Sequence, residues 1–358
     1  MTRLKMTLFA IAAMLCFQFS SPLPAQETEK GEAVAAGQEG PDISGMIFGH
    51  ILDSYEWHFT DIGDTKIVLY LPCIVKSETT GWHVFSSSHL YHPEGAVYEG
   101  FQIAESGSNE GKIIEVATGE RPLDISITKN ALALLINSLI LICIFLYCAR
   151  WYKGKTAQDA APKGFVGAIE SMVGWVYDDI IVANIPQHAN RYAPYLLTAF
   201  FFIFLNNLIG LIPGSANITG NIAITFFLAT CTFLMINLFG NRHYWLDIFN
   251  PHVPWWLKPI MIPIEILGMF TKPVALMIRL FANIMAGHTA MLALFSMIFI
   301  TASMGAVLNG SMTVLAVLFT IFMNALELLV AFIQAYVFTM LSAIFIGLSQ
   351  PVVHESEA

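Results

Sequence analysis

The sequence predicts an all-α polytopic membrane protein that carries a small β-rich segment near its N-terminus. Of its 358 residues, 56% are hydrophobic and only 12% are charged, and the mean hydropathy is +0.64. No ordinary water-soluble domain has this composition. The hydrophobicity is uneven, because residues 26–128 hold 17 of the 26 acidic side chains. An acidic, water-soluble extension therefore precedes a membrane domain over residues 129–350 and a short tail over residues 351–358.

Residues 1–25 have the pattern of a secretory signal peptide. Arg3 and Lys5 precede an apolar run from Met6 to Phe19, and small residues and prolines lead to Ala25. The apolar run is shorter than the ~20 residues that a membrane span needs, which argues against the alternative of an uncleaved first helix. We expect cleavage after Ala25, which would place the acidic extension in the periplasm. Cys73 is the only cysteine of that extension, so no disulfide can form within it.

The extension, residues 26–128, is predicted to be β-rich. Apolar and polar residues alternate over 66–71 and 111–116, and glycine, proline and serine punctuate the rest. Its histidines lack the cysteine or carboxylate spacing of a metal site and are interpreted as surface polar residues. They are His50, His58, His83, His89 and His92.

Five apolar segments predict five transmembrane helices. They are residues 130–147, 192–212, 218–239, 258 to about 303, and about 311 to 348. Basic residues gather on one set of flanks, whereas the connection between the second and third segments is uncharged. The positive-inside rule then places the basic flanks, the loop at 241–257 and the C-terminus in the cytoplasm. These flanking residues are Arg150, Lys153, Lys155, Lys163, Arg191, Arg242 and Lys258.

Residues 164–185 predict an amphipathic helix that lies along the cytoplasmic membrane surface. Apolar side chains recur at helical spacing, opposite Glu170, Asp178 and Asp179.

The last two apolar segments predict a long, tilted helical hairpin. At ~1.5 Å per residue, the first would measure about 65–70 Å as a single helix, roughly twice the thickness of a bilayer core. Such a helix must tilt, bend or break, and Pro263 and Pro273 offer places to bend. An uncharged turn containing Asn309 and Gly310 is expected to join the two segments.

Ionisable residues inside this hairpin are the strongest functional signal in the sequence. A charge at the bilayer centre costs at least ~2.5–3.5 kcal/mol on insertion scales, so a group of them indicates a polar or hydrated path. For the amides, polar contacts that merely join helices stay an equal alternative. The ionisable residues are Glu265, Lys272, Arg279, His288 and Glu327, and the amides are Asn283, Asn324 and Gln334.

Counting residues from a turn near Leu308 and Asn309 predicts which positions face each other. It places His288 and Glu327 at one depth and Arg279 with Gln334 at another, roughly 13 Å further along the helix. The nine residues from Arg279 to His288 also rotate their side chains about 180° apart. One face of the hairpin is thus free to conduct while the other meets a partner.

The stretch from Lys272 to His288 resembles the signature of subunit a of F-type ATP synthases. In it the arginine is followed by Leu-Phe-Ala-Asn-Ile-Met-Ala-Gly-His. The resemblance extends over about residues 129–350 and includes 206–213, which is similar to the third-helix motif of the family, and the spacing of Glu327 and Gln334. It implies a bacterial inner-membrane protein with the c-ring, b-type peripheral stalk subunits and the rest of the complex as partners.

The resemblance also implies roles for individual positions. Arg279 would face the essential carboxylate of the rotating c-ring, with Gln334 beside it, and separate two offset half-channels. His288 and Glu327 would form the acid–base relay of the periplasmic half-channel, lined by Asn207 and Asn283. Glu265 would lie at the cytoplasmic exit. No cofactor, metal or nucleic-acid partner is implied.

Two other functional classes were weighed against this one. A secondary ion-coupled transporter should show internal repeats and paired broken helices, and no repeat is evident. A membrane protease should carry His-Glu-x-x-His or Gly-x-Ser-x-Gly, and neither occurs. A phosphate-binding loop is also absent from the sequence, so nucleotide chemistry would belong to partner subunits. The choice between H⁺ and Na⁺ stays open.

Overall fold

A computed structural model describes residues 53–62, 65–78, 80–92, 95–104, 109–156, 161–212, 215–251, 253–301 and 306–350. The expected signal peptide at 1–25 and the tail at 351–358 lie outside the described residues. Within them, a small β segment precedes a helical domain.

The β segment consists of short antiparallel strands in three small sheets. β1 (Glu56–Ile62) pairs with β2 (Thr65–Tyr70). β3 (Pro72–Ser77) lies between β4 (Gly81–Ser86) and β7 (Leu123–Asp124), and β5 (Phe101–Ile103) pairs with β6 (Ile113–Glu115). The prediction of a β-rich segment is therefore confirmed. β2 and β6 lie in the two stretches where apolar and polar residues alternate.

One face of the β3–β4 pair forms the core of this segment. Cys73, Val75 and Phe85 point to the same side because side chains alternate along a strand, and they pack with Tyr55 and Phe101. The Tyr55 hydroxyl donates to the Asp124 carboxylate, which ties β7 to the residues before β1. Burial, and secondarily Asp124, raises the pKa of the Cys73 thiol to about 12, so this thiol stays protonated and poorly reactive at neutral pH.

The helical domain contains seven helices within the described residues. They are α1 (Lys129–Tyr152), α2 (Phe165–Trp175) with a π-helical continuation (Val176–Val182), α3 (Ala189–Gly210), α4 (Ile222–Leu238), α5 (Arg242–Phe249), α6 (Lys258–Thr301) and α7 (Ala306–Leu348). Four of them, α1, α3, α6 and α7, are long and apolar enough to cross a membrane. The chain is therefore a multi-pass membrane protein, and the remaining predicted span corresponds to the shorter α4 with 17 residues.

Two predicted connections differ from the structure. Residues 241–257 were expected to be a loop, but they contain α5, whose first amide is capped by the Asn241 side chain at 2.6 Å. The predicted turn residues Asn309 and Gly310 lie inside α7, which begins at Ala306. The low helix propensity of asparagine and glycine is a weak signal, which tertiary context overrides here. α6 is one helix through Pro263 and Pro273.

The core of the helical domain surrounds α3. Tyr192, Leu196 and Phe200 are fully buried there, against Ile180 and Ile181 of the π-helical segment. Trp175 stacks on Phe332 and Tyr336 of α7, with ring centroids 5.6 and 5.5 Å apart. The predicted amphipathic helix therefore packs its apolar face onto α3 and α7, while Glu170, Asp178 and Asp179 are exposed.

The β segment is joined to the helical domain at the first turn of α1. The Lys129 amide donates to the Ser54 carbonyl at 2.9 Å, and the Asn130 amide donates to the Asp53 carboxylate at 3.0 Å. The Thr128 hydroxyl accepts from the Ala131 amide. Since the first amides of a helix lack partners within the helix, these contacts fix the segment to α1.

Candidate functional site

The α6–α7 hairpin brings Glu327 directly against the backbone of α6 at Gly287. A β-carbon at position 287 would overlap the Glu327 carboxylate, so only glycine permits this approach. Oε2 of Glu327 is buried and has no hydrogen-bond partner among the described residues. A buried carboxyl oxygen without a partner is costly and is typical of sites that exchange protons or bind water.

His288 follows Gly287 on α6 and is half-buried. The contact of its neighbour with Glu327 places both residues at a similar depth, as counting from the turn predicted. Within the described residues no hydrogen bond or ion pair joins His288 to Glu327. The two groups are neighbours in this structure and not a bonded pair.

Gln334 is paired with Asn283 and not with Arg279. The Asn283 amide donates to Gln334 Oε1 at 3.1 Å, and Gln334 is buried. Arg279 lies four residues, or one helical turn, from Asn283. Counting from Leu308 and Asn309 itself places Gln334, 25 residues after Asn309, level with Asn283, 25 residues before Leu308, so the prediction that set Gln334 level with Arg279 was displaced by four residues, about 6 Å along the helix.

Asn207 connects α3 to the same part of α7. Its amide nitrogen donates to the Ala331 carbonyl at 3.3 Å, and its oxygen accepts from the Thr219 hydroxyl at 2.7 Å. Ala331 lies four residues after Glu327 and three before Gln334, so all three share one face of α7. Asn207 is thus bonded to the backbone of α7 one helical turn after Glu327.

Arg279 is exposed, although Asn283, one helical turn further along α6, belongs to the polar group. Leu276 and Leu280, on the neighbouring flank of α6, are buried. In the described part of the chain its guanidinium makes no hydrogen bond, ion pair or ring contact. Beside it, Ile278 is 52% exposed. The outer face of α6 therefore presents a permanent cation on an apolar surface.

The other ionisable residues of the hairpin lie nearer the N-terminus of α6. Glu265 is exposed, and the Lys272 ammonium lies 5.5 Å from the ring centroid of Phe345 on α7. Asn324 is exposed as well. The structure therefore separates the ionisable residues along the hairpin and does not gather them into one cluster.

Several residues of the polar network were not singled out from the sequence. The Asn137 amide on α1 donates to the Asn206 side chain at 2.9 Å, and both are buried. Thr219 and Gly287 also belong to the network. An asparagine inside an apolar span was the available signal for Asn137, whereas Thr219 and Gly287 become meaningful only through their contacts.

Two family models match the chain. Residues 132–347 match the ATP synthase A chain model, and residues 46–133 match a domain of unknown function (DUF8433). The second match covers the β segment and ends in the first turn of α1. The first covers the membrane helices together with the polar network around Glu327.

Curated relatives are similar over the same region. ATP synthase subunit a of Chlorobium phaeobacteroides (strain DSM 266) is 44% identical over 239 residues, which is 66% of this chain and 68% of the relative. The protein of the same name from Pelodictyon phaeoclathratiforme is 45% identical over 231 residues, covering 63% and 66%. That from Myxococcus xanthus is 40% identical over 240 residues, covering 66% and 76%.

Proposed function

Because the chain belongs to the ATP synthase A chain family, we propose that it forms the proton path of the membrane sector of an F-type ATP synthase. In this proposal two offset half-channels serve the carboxylates of a c-ring, so that proton flow drives rotation and ATP synthesis. The observation that carries it is Arg279, an exposed arginine without a counter-ion among the described residues on a membrane-crossing helix.

An unpaired charge in this position calls for a carboxylate from a partner. Leaving a charge unpaired in an apolar medium is strongly unfavourable, so the outer face of α6 fits a surface that supplies an acid. A ring carboxylate can face lipid only when it is neutral. The Arg279 guanidinium would stabilise its ionised form locally, so the proton leaves there. Arginine suits this position because it does not deprotonate and cannot pass protons straight across.

Glu327 and His288 are proposed as the relay of the periplasmic half-channel. Oε2 of Glu327, which has no hydrogen-bond partner among the described residues, and the neighbouring imidazole can each take up and release a proton. Asn207, Asn283 and Gln334 would line the route between Glu327 and Arg279. Glu265, exposed nearer the N-terminus of α6, is proposed for the cytoplasmic exit.

The chain is also proposed to form five spans with the helix of residues 165–182 at the cytoplasmic surface. The 17 residues of α4 reach the lower limit of a spanning helix, and its neighbours α3 and α6 are both long enough to cross. The N-terminal extension would then be periplasmic and the C-terminus cytoplasmic.

Affinity purification tests the assignment to the complex. A tag on the C-terminus of this chain should capture the catalytic head, the peripheral stalk and a small two-helix proteolipid after mild detergent extraction. Recovery of the chain without the proteolipid and head would overturn the proposal. ATP-driven proton uptake by vesicles that contain the purified complex then tests the activity.

Protease treatment of intact spheroplasts tests the topology. A protease outside the cell should remove the extension at 26–128 and leave a C-terminal tag intact, because basic flanks are retained in the cytoplasm. After lysis the tag should be digested too, which serves as the control. Protection of the extension in intact spheroplasts would contradict this topology.

Gly287→Ala should lower proton-driven ATP synthesis by roughly 10- to 100-fold, since misplacing a reacting group by about 1 Å has effects of this size. The added methyl group would force the Glu327 carboxylate away from α6. Gly268→Ala is the matched control, because it lies in the same helix with no atom near its β-carbon. Equal rates for both variants would show that this close approach is unimportant.

A further inference from the structure

We propose that the N-terminal β segment is a working part of the periplasmic proton entrance, in which Trp57 fixes the α3–α4 connection and thereby holds Asn207 in place. This inference rests on the proposed function. It assigns a role to a region whose family model carries none, and it makes Trp57 a positioning residue.

Trp57 of β1 is buried at the junction between the β segment and the helical domain. It is 9% exposed and packs with Ala133 of α1 and with Ala216 and Ile218 of the α3–α4 connection. Ile218 is fully buried in this cluster. One aromatic side chain from the extension is therefore buried in a single apolar cluster with residues of the first helix and of the connection.

The extension is fixed to the first turn of α1 close to Trp57. Asp53 and Ser54 accept hydrogen bonds from the first amides of α1, four and three residues before Trp57. With its strand fixed at this end, the indole has a defined position relative to α1. A residue can position its neighbours only if its own side chain is held rigidly.

The connection is held mainly by its own hydrogen bonds and by this cluster. The Asn217 side chain accepts from the Gly220 amide at 3.0 Å, and Ser215 donates to the Ile209 carbonyl at 2.6 Å. Asn217 Nδ2 is buried without a partner among the described residues. Ile218 and Ala216 of the connection are buried in the cluster that contains Trp57, so this packing adds to the few hydrogen bonds that hold the connection.

The next residue after Ile218 reaches the proposed proton path. The Thr219 hydroxyl donates to Asn207, and Asn207 donates to the Ala331 carbonyl, one turn from Glu327. A continuous series of contacts thus leads from Trp57 through Ile218, Thr219 and Asn207 to the helix that carries Glu327. Displacing the indole should therefore disturb the geometry around that carboxylate.

Trp57→Ala in the complete complex should lower proton-driven ATP synthesis by roughly 3- to 30-fold, the range expected when a residue acts through packed intermediates. Rates are compared per assembled complex, measured by ATP hydrolysis of the attached head. Trp57→Phe should retain most activity. Trp82→Ala is the matched control, because Trp82 belongs to the same segment but is 57% exposed and lies outside the junction.

Two further readouts distinguish positioning from general stability. The periplasmic pH that gives half-maximal synthesis should shift in Trp57→Ala and in Thr219→Val but not in Trp82→Ala. The double variant Trp57→Ala with Thr219→Val should lose less synthesis activity than the product of the two single fold-losses, because both changes interrupt one series of contacts. Hydrogen exchange of the 215–221 amides should accelerate roughly 10-fold in Trp57→Ala as the connection opens.

The outcomes separate this inference from the proposed function. Normal synthesis in Trp57→Ala, or slower synthesis without faster exchange at 215–221, would overturn the inference. If Trp57→Ala does not assemble, Trp57→Leu carries the same test through the pH of half-maximal synthesis and the exchange of the 215–221 amides, and unchanged values of both overturn the inference. Glu327→Gln in the same vesicles reports on the function: if it too leaves synthesis unchanged, the proposed proton path itself is wrong.

Discussion

Arg279→Ala should abolish ATP synthesis and ATP-driven proton pumping while the complex still assembles. Without this cation nothing would favour the ionised ring carboxylate between the two half-channels, so rotation would no longer be enforced. We also expect the membrane sector to become passively leaky to protons. Assembly, synthesis and passive conductance should be measured on the same vesicles.

The Arg279→Lys variant should also lose ATP synthesis and ATP-driven proton pumping. This result would distinguish a requirement for the guanidinium group from a requirement for any positive charge. An ammonium places its charge differently and loses its proton more readily when desolvated. Arg242→Ala is the charge-matched control, because Arg242 is exposed on α5 outside the hairpin. If the arginine were only structural, its removal would prevent assembly. An assembled Arg279→Ala complex that makes ATP at a near-normal rate would refute the proposed role.

Glu327→Gln should reduce proton-driven synthesis by roughly 100-fold or more, the usual contribution of a group that transfers protons. Glutamine keeps the size of the side chain at Gly287 but removes its proton exchange. Because the carboxyl oxygen Oε2 has no hydrogen-bond partner in the part of the chain that the structure describes, the substitution breaks no hydrogen bond of that atom there. Synthesis driven by an acid–base transition measures the effect, and an unchanged rate would exclude Glu327 from the path.

The exchange His288→Glu with Glu327→His tests whether these two residues act as one unit. Their neighbouring positions on α6 and α7 predict shared macroscopic pKa values. The exchanged protein should therefore retain more synthesis than either single variant. Strictly additive losses would mean that the two residues act separately. Such a result would agree with the lack of a mutual hydrogen bond between them within the described residues.

Hydropathy and charge alone determined the membrane architecture of this protein. A segment inside a bilayer must satisfy its backbone internally and must be apolar, so the sequence of a membrane helix is strongly constrained. The positions of α1, α3, α6 and α7 were predictable for this reason, as was the presence of ionisable residues in the hairpin. The rotation of about 180° between the side chains of Arg279 and His288 likewise follows from the sequence, because it depends only on their spacing within one helix.

Only the tertiary structure decided which residues meet. Gln334 hydrogen-bonds to Asn283 and Glu327 lies against Gly287, and no single count from one turn gives both pairs, since the register of two helices depends on the packing of all their side chains. The closeness of Glu327 to Gly287 and the position of Trp57 on the α3–α4 connection depend in the same way on contacts between distant parts of the chain. A tryptophan in a β strand carries no sequence signal for such a role, because the residues that pack around Trp57 lie 76 to 161 positions further along the chain and leave no local pattern.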